Sequence, residues 1–154
     1  MMYSSAIKST LLGVSLLFAT AAVAQKEKKP DGKNKYIEGK KYDVTFTEIK
    51  TTGQAKPMPS TIVIKAGKVQ CDLMEEKLTA PEMPYKVTLD TTYIEDESEV
   101  RKVAFIAEYT EEKTTYKWDA TVTDYSIEGS FIMLKGGVQK KKFEFTGEEK
   151  AKKK

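Results

Sequence analysis

From Gly39 onward the dominant signal is alternation of apolar and polar residues with period two, the spacing of a β-strand buried on one face. Tyr42, Val44 and Phe46 share one face, with Asp43, Thr45 and Thr47 on the other. Ile62 and Ile64 continue the pattern, Ala66-Gly67 turns the chain, and Val69 and Cys71 follow. Tyr85, Val87 and Leu89 form the next apolar set, with a turn expected at Asp90-Thr91 leading into a short run from Thr92 to Glu95. Further along, Val103, Phe105, Ala107 and Tyr109 alternate cleanly, as do Tyr116, Trp118, Ala120 and Val122. Ile127, Gly129, Phe131 and Met133 come next, then Phe143 and Phe145. Gly136-Gly137 suits a two-residue hairpin turn, because glycine takes positive φ at no steric cost. One segment breaks the rhythm. Asp72, with Glu75 three positions later, reads as the N-cap of one or two helical turns over Leu73 to Leu78, ended by Pro81 and Pro84.

Eight or nine short strands joined by tight turns predict an all-β antiparallel meander, with the short helix or loop covering one end. Each strand must bury its apolar face, and a small closed barrel or a two-layer β-sandwich does so; alternation alone fits both.

The first 24 residues follow another logic. Lys8 gives a basic start, Leu11 to Phe18 an apolar stretch, and Ala22-Val23-Ala24 the small-x-small pattern of a signal-peptide cleavage site, with Gln25 next. That apolar stretch falls short of the about 20 residues needed to span a bilayer, and no second one follows. The expectation is an exported protein, periplasmic or extracellular, without a transmembrane segment. The expected organisation is a signal peptide over 1–24, a disordered Lys-rich lead-in over 25–38, a β-domain over 39–147 and a disordered Lys-rich tail over 148–154.

Charge narrows the partners. Without Lys8 the chain carries 25 basic and 23 acidic residues, a net of +2, and the excess sits in the two tails. The body from Tyr36 to Gly147 holds 16 basic and 19 acidic residues, a net of −3, so it lacks the basic patch of a nucleic-acid-binding domain. There is no histidine, which removes the commonest general base, the usual catalytic zinc ligand and every Ser-His or Cys-His pair. Cys71 is the lone cysteine, so no internal disulfide forms; its strand position predicts a buried thiol packing as a small hydrophobe. The acidic run Glu95-Asp96-Glu97-Ser98-Glu99 lacks the ligand spacing of a calcium loop and reads as a hairpin tip. No metal or cofactor motif is present, and no acid pair stands out to carry catalysis.

Three C-terminal segments carry a resemblance: Lys117-Trp118-Asp119-Ala120-Thr121-Val122, Ile127-Glu128-Gly129-Ser130-Phe131 and Phe143-Glu144-Phe145-Thr146-Gly147. They resemble the closing strands of small secreted bacterial lipocalin-like domains, many of unknown function, and the resemblance implies a calycin-type barrel. The chain departs from the lipocalin pattern at its first strand, where Gly39-Lys40-Lys41-Tyr42 stands in place of Gly-x-Trp. The basic residue that packs over that tryptophan has no clear match, Arg101 being the lone arginine and Lys140 to Lys142 the late alternatives.

The apolar aromatic residues Tyr42, Phe46, Phe105, Tyr109, Tyr116, Trp118 and Phe131 are the candidate ligand-binding set. They either line a pocket, with a tyrosine hydroxyl orienting a polar head group and Asp72–Pro84 as a lid, or they fill the core. The first alternative is a barrel that binds a small hydrophobic or amphipathic ligand inside. The second is an envelope or extracellular structural or protein-interaction module with a packed core. It would be favoured if Ile49, Val63, Ala104, Ile106, Ile132 and Leu134, all off the main apolar face, formed one exposed patch.

Overall fold

A computed structural model describes residues 33–152; the expected signal peptide and most of the lead-in lie outside the described residues. The described residues are all-β apart from one short helix. Eight antiparallel strands follow one another as β1 (Lys41–Glu48), β2 (Met58–Lys65), β3 (Lys68–Cys71), β4 (Met83–Glu95), β5 (Ser98–Glu111), β6 (Thr114–Thr123), β7 (Ser126–Lys135) and β8 (Val138–Glu149). Helix α1 (Asp72–Leu78) links β3 to β4. Each strand pairs with the next, and β8 returns to pair with β1 through seven positions from Tyr42↔Glu149 to Glu48↔Phe143, so the meander forms a closed hydrogen-bonded ring.

The ring is uneven. β5 to β8 form a long, continuous ladder, with ten aligned positions between β5 and β6 and ten between β6 and β7. The seam between β3 and β4 has only two, Lys68↔Pro84 and Val69↔Met83. Local sequence sets this difference: β3 has four residues before α1 takes over, and Pro84 has no amide to donate.

Alternation becomes burial almost strand by strand. Tyr42, Val44 and Phe46 point inward from β1; Val103, Phe105 and Ala107 from β5; Trp118, Ala120 and Val122 from β6; Phe131 from β7; Phe143 and Phe145 from β8. No polar or charged residue is buried among the described residues. Gly136 (φ 57°) and Gly137 (φ 78°) turn β7 into β8 as the sequence predicts.

Three elements differ from expectation. First, no turn occurs at Asp90-Thr91. β4 runs unbroken to Glu95, and the turn falls at Asp96 and Glu97, both at positive φ. A β-bulge between Val87 and Leu89 inserts Thr88, which flips the face of every later residue. Leu89 therefore points outward, 43% exposed, instead of joining Tyr85 and Val87 inside. Second, α1 is capped by Cys71 in extended conformation, one residue before the expected Asp72, which instead places its charge in the first turn. Third, order extends past both ends of the expected domain. Residues 35–39 form a turn that buries Ile37 completely, and β8 continues through Glu149.

Gly129 sits where the ring leaves no room for a side chain. A Cβ there would lie 2.1 Å from the Asp119 carbonyl oxygen, 2.8 Å from Ala120 Cα and 2.9 Å from Phe145 Cζ. The first two are backbone atoms of the neighbouring strand and cannot step aside. Gly129→Ala is expected to destabilise the protein by about 3 kcal/mol through overpacking, measured by urea unfolding.

Candidate functional site

The candidate aromatic residues converge on the interior. Phe46 lies 6.2 Å from Trp118, 5.2 Å from Phe145 and 6.5 Å from Phe143, ring centre to ring centre. Trp118 is 4.7 Å from Phe131, edge to face, and Phe131 stacks on Tyr116 at 6.2 Å. These separations lie in the contact range of aromatic pairs, so the rings of β1, β6, β7 and β8 touch one another across the interior. Phe105 pairs instead with Tyr85, at 5.5 Å. Tyr42 is fully buried, whereas Tyr109 is only half-buried and packs against the edge of the core.

Both ends of the ring are occupied. At one end α1 inserts Met74 into the core, Leu73 and Leu78 pack beside it, and the Tyr116 hydroxyl donates to the Leu78 carbonyl at 2.8 Å. Burial raises the Tyr116 pKa, which keeps that donor protonated. At the other end the turn over 35–39 inserts Ile37, with Gly39 N–H donating to the Ile64 carbonyl and Ile64 N–H to the Lys40 carbonyl.

A polar network fastens this second plug. The Glu38 carboxylate accepts from Gly67 N–H and from the Tyr85 hydroxyl, which in turn accepts from Asn34 N–H. The Asn34 amide donates to Asp90, which also holds Arg101 through two bonds of 3.1 and 3.0 Å. The Arg101 guanidinium lies 4.6 Å over the Tyr36 ring, and Lys40 Nζ lies 4.2 Å over the same ring. Tyr36 donates its hydroxyl to the Asp124 carbonyl, and the Asp124 carboxylate accepts from Arg101 N–H. The hydrogen bond to Asp90 raises the Arg101 pKa, partly offset by burial.

Sequence reasoning missed this cluster. Its signal was Tyr36-Ile37, an apolar pair inside a Lys-rich segment. Arg101 does stack on an aromatic ring, but on Tyr36 rather than on a residue of β1.

Cys71 is buried, 3.4 Å from Ser60 Oγ, and burial pushes its thiol pKa up, as suits a packing residue and not a nucleophile. The acidic run Glu95–Glu99 forms the β4–β5 hairpin tip. Among the described residues no group of three or more His, Cys, Asp or Glu side chains is placed to hold a metal ion.

On the outside, two shallow open grooves occur. One runs along β1 and β2 past Asp43, Thr45, Pro59 and Thr61; the other crosses β6 to β8 past Asp119, Glu128, Ser130 and Glu144. The six apolar residues off the main face do not form one patch, and Val63, Ala104, Ile132 and Leu134 are only half-exposed, so the patch expected to favour an interaction module is not found. Val63 is on β2, Ile49 follows β1, and Ile106 on β5 is separated from Ile132 on β7 by Asp119 and Lys117 of β6. Lys117 pairs there with Glu108 at 3.0 Å.

No protein-family model matches the chain, and no significant match exists among curated proteins or solved structures.

Two buried tyrosines make opposite predictions. Among the described residues the Tyr42 hydroxyl has no hydrogen-bond partner, although burial and nearby Glu149 raise its pKa and keep it protonated. Glu149 Oε2 is bonded to no N–H or O–H in good geometry, yet lies 2.8 Å from Lys40 Nζ; this close ion pair is the contact that matters electrostatically. Tyr42→Phe is therefore expected to be neutral or stabilising, by up to about 1 kcal/mol, because it removes an unmet donor. Tyr85→Phe loses the bonds to Glu38 and Asn34 and should cost about 1–2 kcal/mol. Alkaline titration adds a second signature. Burial first, then the bond to Glu38, pushes the Tyr85 pKa from 10.0 to about 12. The unfolded chain loses this proton at lower pH than the folded one, so the Tyr85 contribution is intact below pH 10 and declines between 10 and about 12. Unfolding measured across that window should show a shallower decline in Tyr85→Phe.

Proposed function

We propose that this protein is a small calycin-type barrel whose interior is filled by its own side chains, and that it works from its outer surface as an exported structural or protein-interaction module. The observation that carries this reading is the unbroken chain of ring contacts from Tyr116 through Phe131 and Trp118 to Phe46 and Phe145, between two plugged ends. A ligand-carrying interior needs free volume beside its aromatic walls and an entrance. Here the rings contact one another, α1 is tied down through Tyr116, and the Ile37 turn is held by Glu38, Asn34 and Tyr36.

The closed meander and the sequence resemblance support the barrel architecture. Export rests on the apolar stretch Leu11 to Phe18 and the cleavage pattern Ala22-Val23-Ala24. Absence of histidine, and a cysteine whose thiol is buried and raised in pKa, support a non-enzymatic role.

Native mass spectrometry of the protein recovered from an exported fraction, beside the same sample denatured, tests this reading. The expected result is a native mass equal to the bare chain or a whole-number multiple of it. A discrete small mass lost on denaturation would replace this reading with interior ligand carriage.

A further inference from the structure

The two ends of the ring are closed in unequal ways. The Ile37 turn is fastened through Asn34, Tyr36, Glu38, Tyr85 and Arg101. The α1 end is held by much less. Residues 70–82 leave the ring after Val69 and rejoin it at Met83, and those two flanking residues are ladder partners, both fully buried. The base of the segment is therefore closed on itself, as in an Ω-loop. Gly67 anchors that base: its N–H donates to the Glu38 carboxylate and its carbonyl accepts from Tyr85 N–H.

Beyond the base, few bonds join the segment to the rest of the ring. Among the described residues they are the ladder positions Gln70↔Val63 and Cys71↔Ile62, the 3.4 Å contact of Cys71 Sγ with Ser60 Oγ, and the bond from the Tyr116 hydroxyl to the Leu78 carbonyl. Within α1 only Met74 is buried, while Asp72, Glu75, Glu76 and Lys77 face solvent. A helix of seven residues does not persist without such tertiary support. Thr79 ends it at φ 59°, ψ 28°, a left-handed conformation that a β-branched residue rarely adopts, so the closed segment also stores backbone strain.

We propose that residues 70–82 are a lid that opens as one unit about the Val69–Met83 base while the ring stays closed, with the Tyr116–Leu78 bond as its latch. The ladder pairs Lys68↔Pro84 and Val69↔Met83 lie outside the lid and remain made when it opens. Opening withdraws Met74 from the core and lets Thr79 relax. It also replaces a polar helix surface with the apolar side chains of Leu73, Met74 and Leu78, so the same chain presents two different surfaces.

This inference goes beyond the packed-interior reading, and the two fail separately. A small bound mass would overturn the packed interior, whereas the lid is read from the bare protein.

Cys71 supplies the test, since it is the lone thiol, is 4% exposed and lies just before α1. Its reaction with a small thiol reagent is compared with that of the double variant Cys71→Ser/Val122→Cys, whose thiol lies inside the ring on β6. Cys71 should react about a hundredfold faster than the thiol at position 122, because lid opening requires less free energy than global unfolding. Its rate should depend weakly on urea below the unfolding transition, whereas the rate at 122 should climb steeply, because the urea slope follows the surface exposed. Tyr116→Phe should speed Cys71 labelling about fivefold. Ile127→Val, which weakens the ring alone, should speed labelling at 122 by about threefold and leave Cys71 unchanged. Hydrogen exchange of the wild type gives a reading free of substitutions: amides over 70–79 should share one protection factor, below those of β6 and β7. Equal labelling rates and equal urea dependence at both positions would overturn the proposal, as would a Cys71 rate that rises with I127V. So would lid amides protected as strongly as the ring, or a Tyr116→Phe variant in which Cys71 reacts no faster.

Discussion

Everything in this domain depends on one constraint: with a single cysteine and no metal-ligand cluster among the described residues, no cross-link helps the backbone ladder, and side-chain packing must stabilise the closed ring. A domain of this size has a modest core, and aromatic side chains bury the most area per residue. The solution is a belt of rings in which Phe46 of β1 meets Trp118 of β6 and Phe143 and Phe145 of β8, while Phe131 of β7 fills the space between. That belt ties the first strand to the last three. Those contacts join the strands at which the meander closes on itself.

Closure has a weak point, and its position follows from the chain. Between β3 and β4 the ladder gives way to α1, whose Met74 and Leu78 are needed to cover one end of the aromatic belt. The residues that seal the core at that end are therefore the ones that shorten the seam. The opposite end is sealed differently, by an apolar residue on a turn held by charged and polar neighbours. Arg101 and Lys40 both lie over the Tyr36 ring, with Asp90 and Glu149 balancing their charges. The surface pairs outside these plugs, such as Lys117–Glu108, are exposed and add little stability by themselves.

Much of this was legible in the sequence where one physical rule governed. Period-two alternation identified the inward faces of β1, β5, β6, β7 and β8, and the Gly136-Gly137 turn, because burial on one face leaves no other pattern. Six of the seven candidate aromatics are buried, Tyr109 lying at the margin. Alternation became misleading where a single extra residue changed parity: Thr88 turned Leu89 outward, and the Asp90-Thr91 pair resembled a turn although the strand continued. The Ile37 plug was hidden for a different reason. Tyr85 and Arg101, which help hold it, are distant in sequence from Asn34 and Glu38, and a Lys-rich context masks one apolar residue that tertiary contacts order. Whether the aromatics line a pocket or fill a core depends on distances between rings, which no one-dimensional pattern contains.

Trp118 offers the most direct measurement of that last point, since it is the only tryptophan, is 2% exposed and sits at the centre of the belt. Its fluorescence can be followed while a brominated fatty acid is titrated into the folded protein, with acrylamide as a parallel probe of solvent access. The packed-interior account predicts blue-shifted emission, little acrylamide quenching and no saturable quenching by the brominated lipid. Saturable quenching with a stoichiometry of one lipid per chain would contradict it, and would mean that the rings part to admit a ligand.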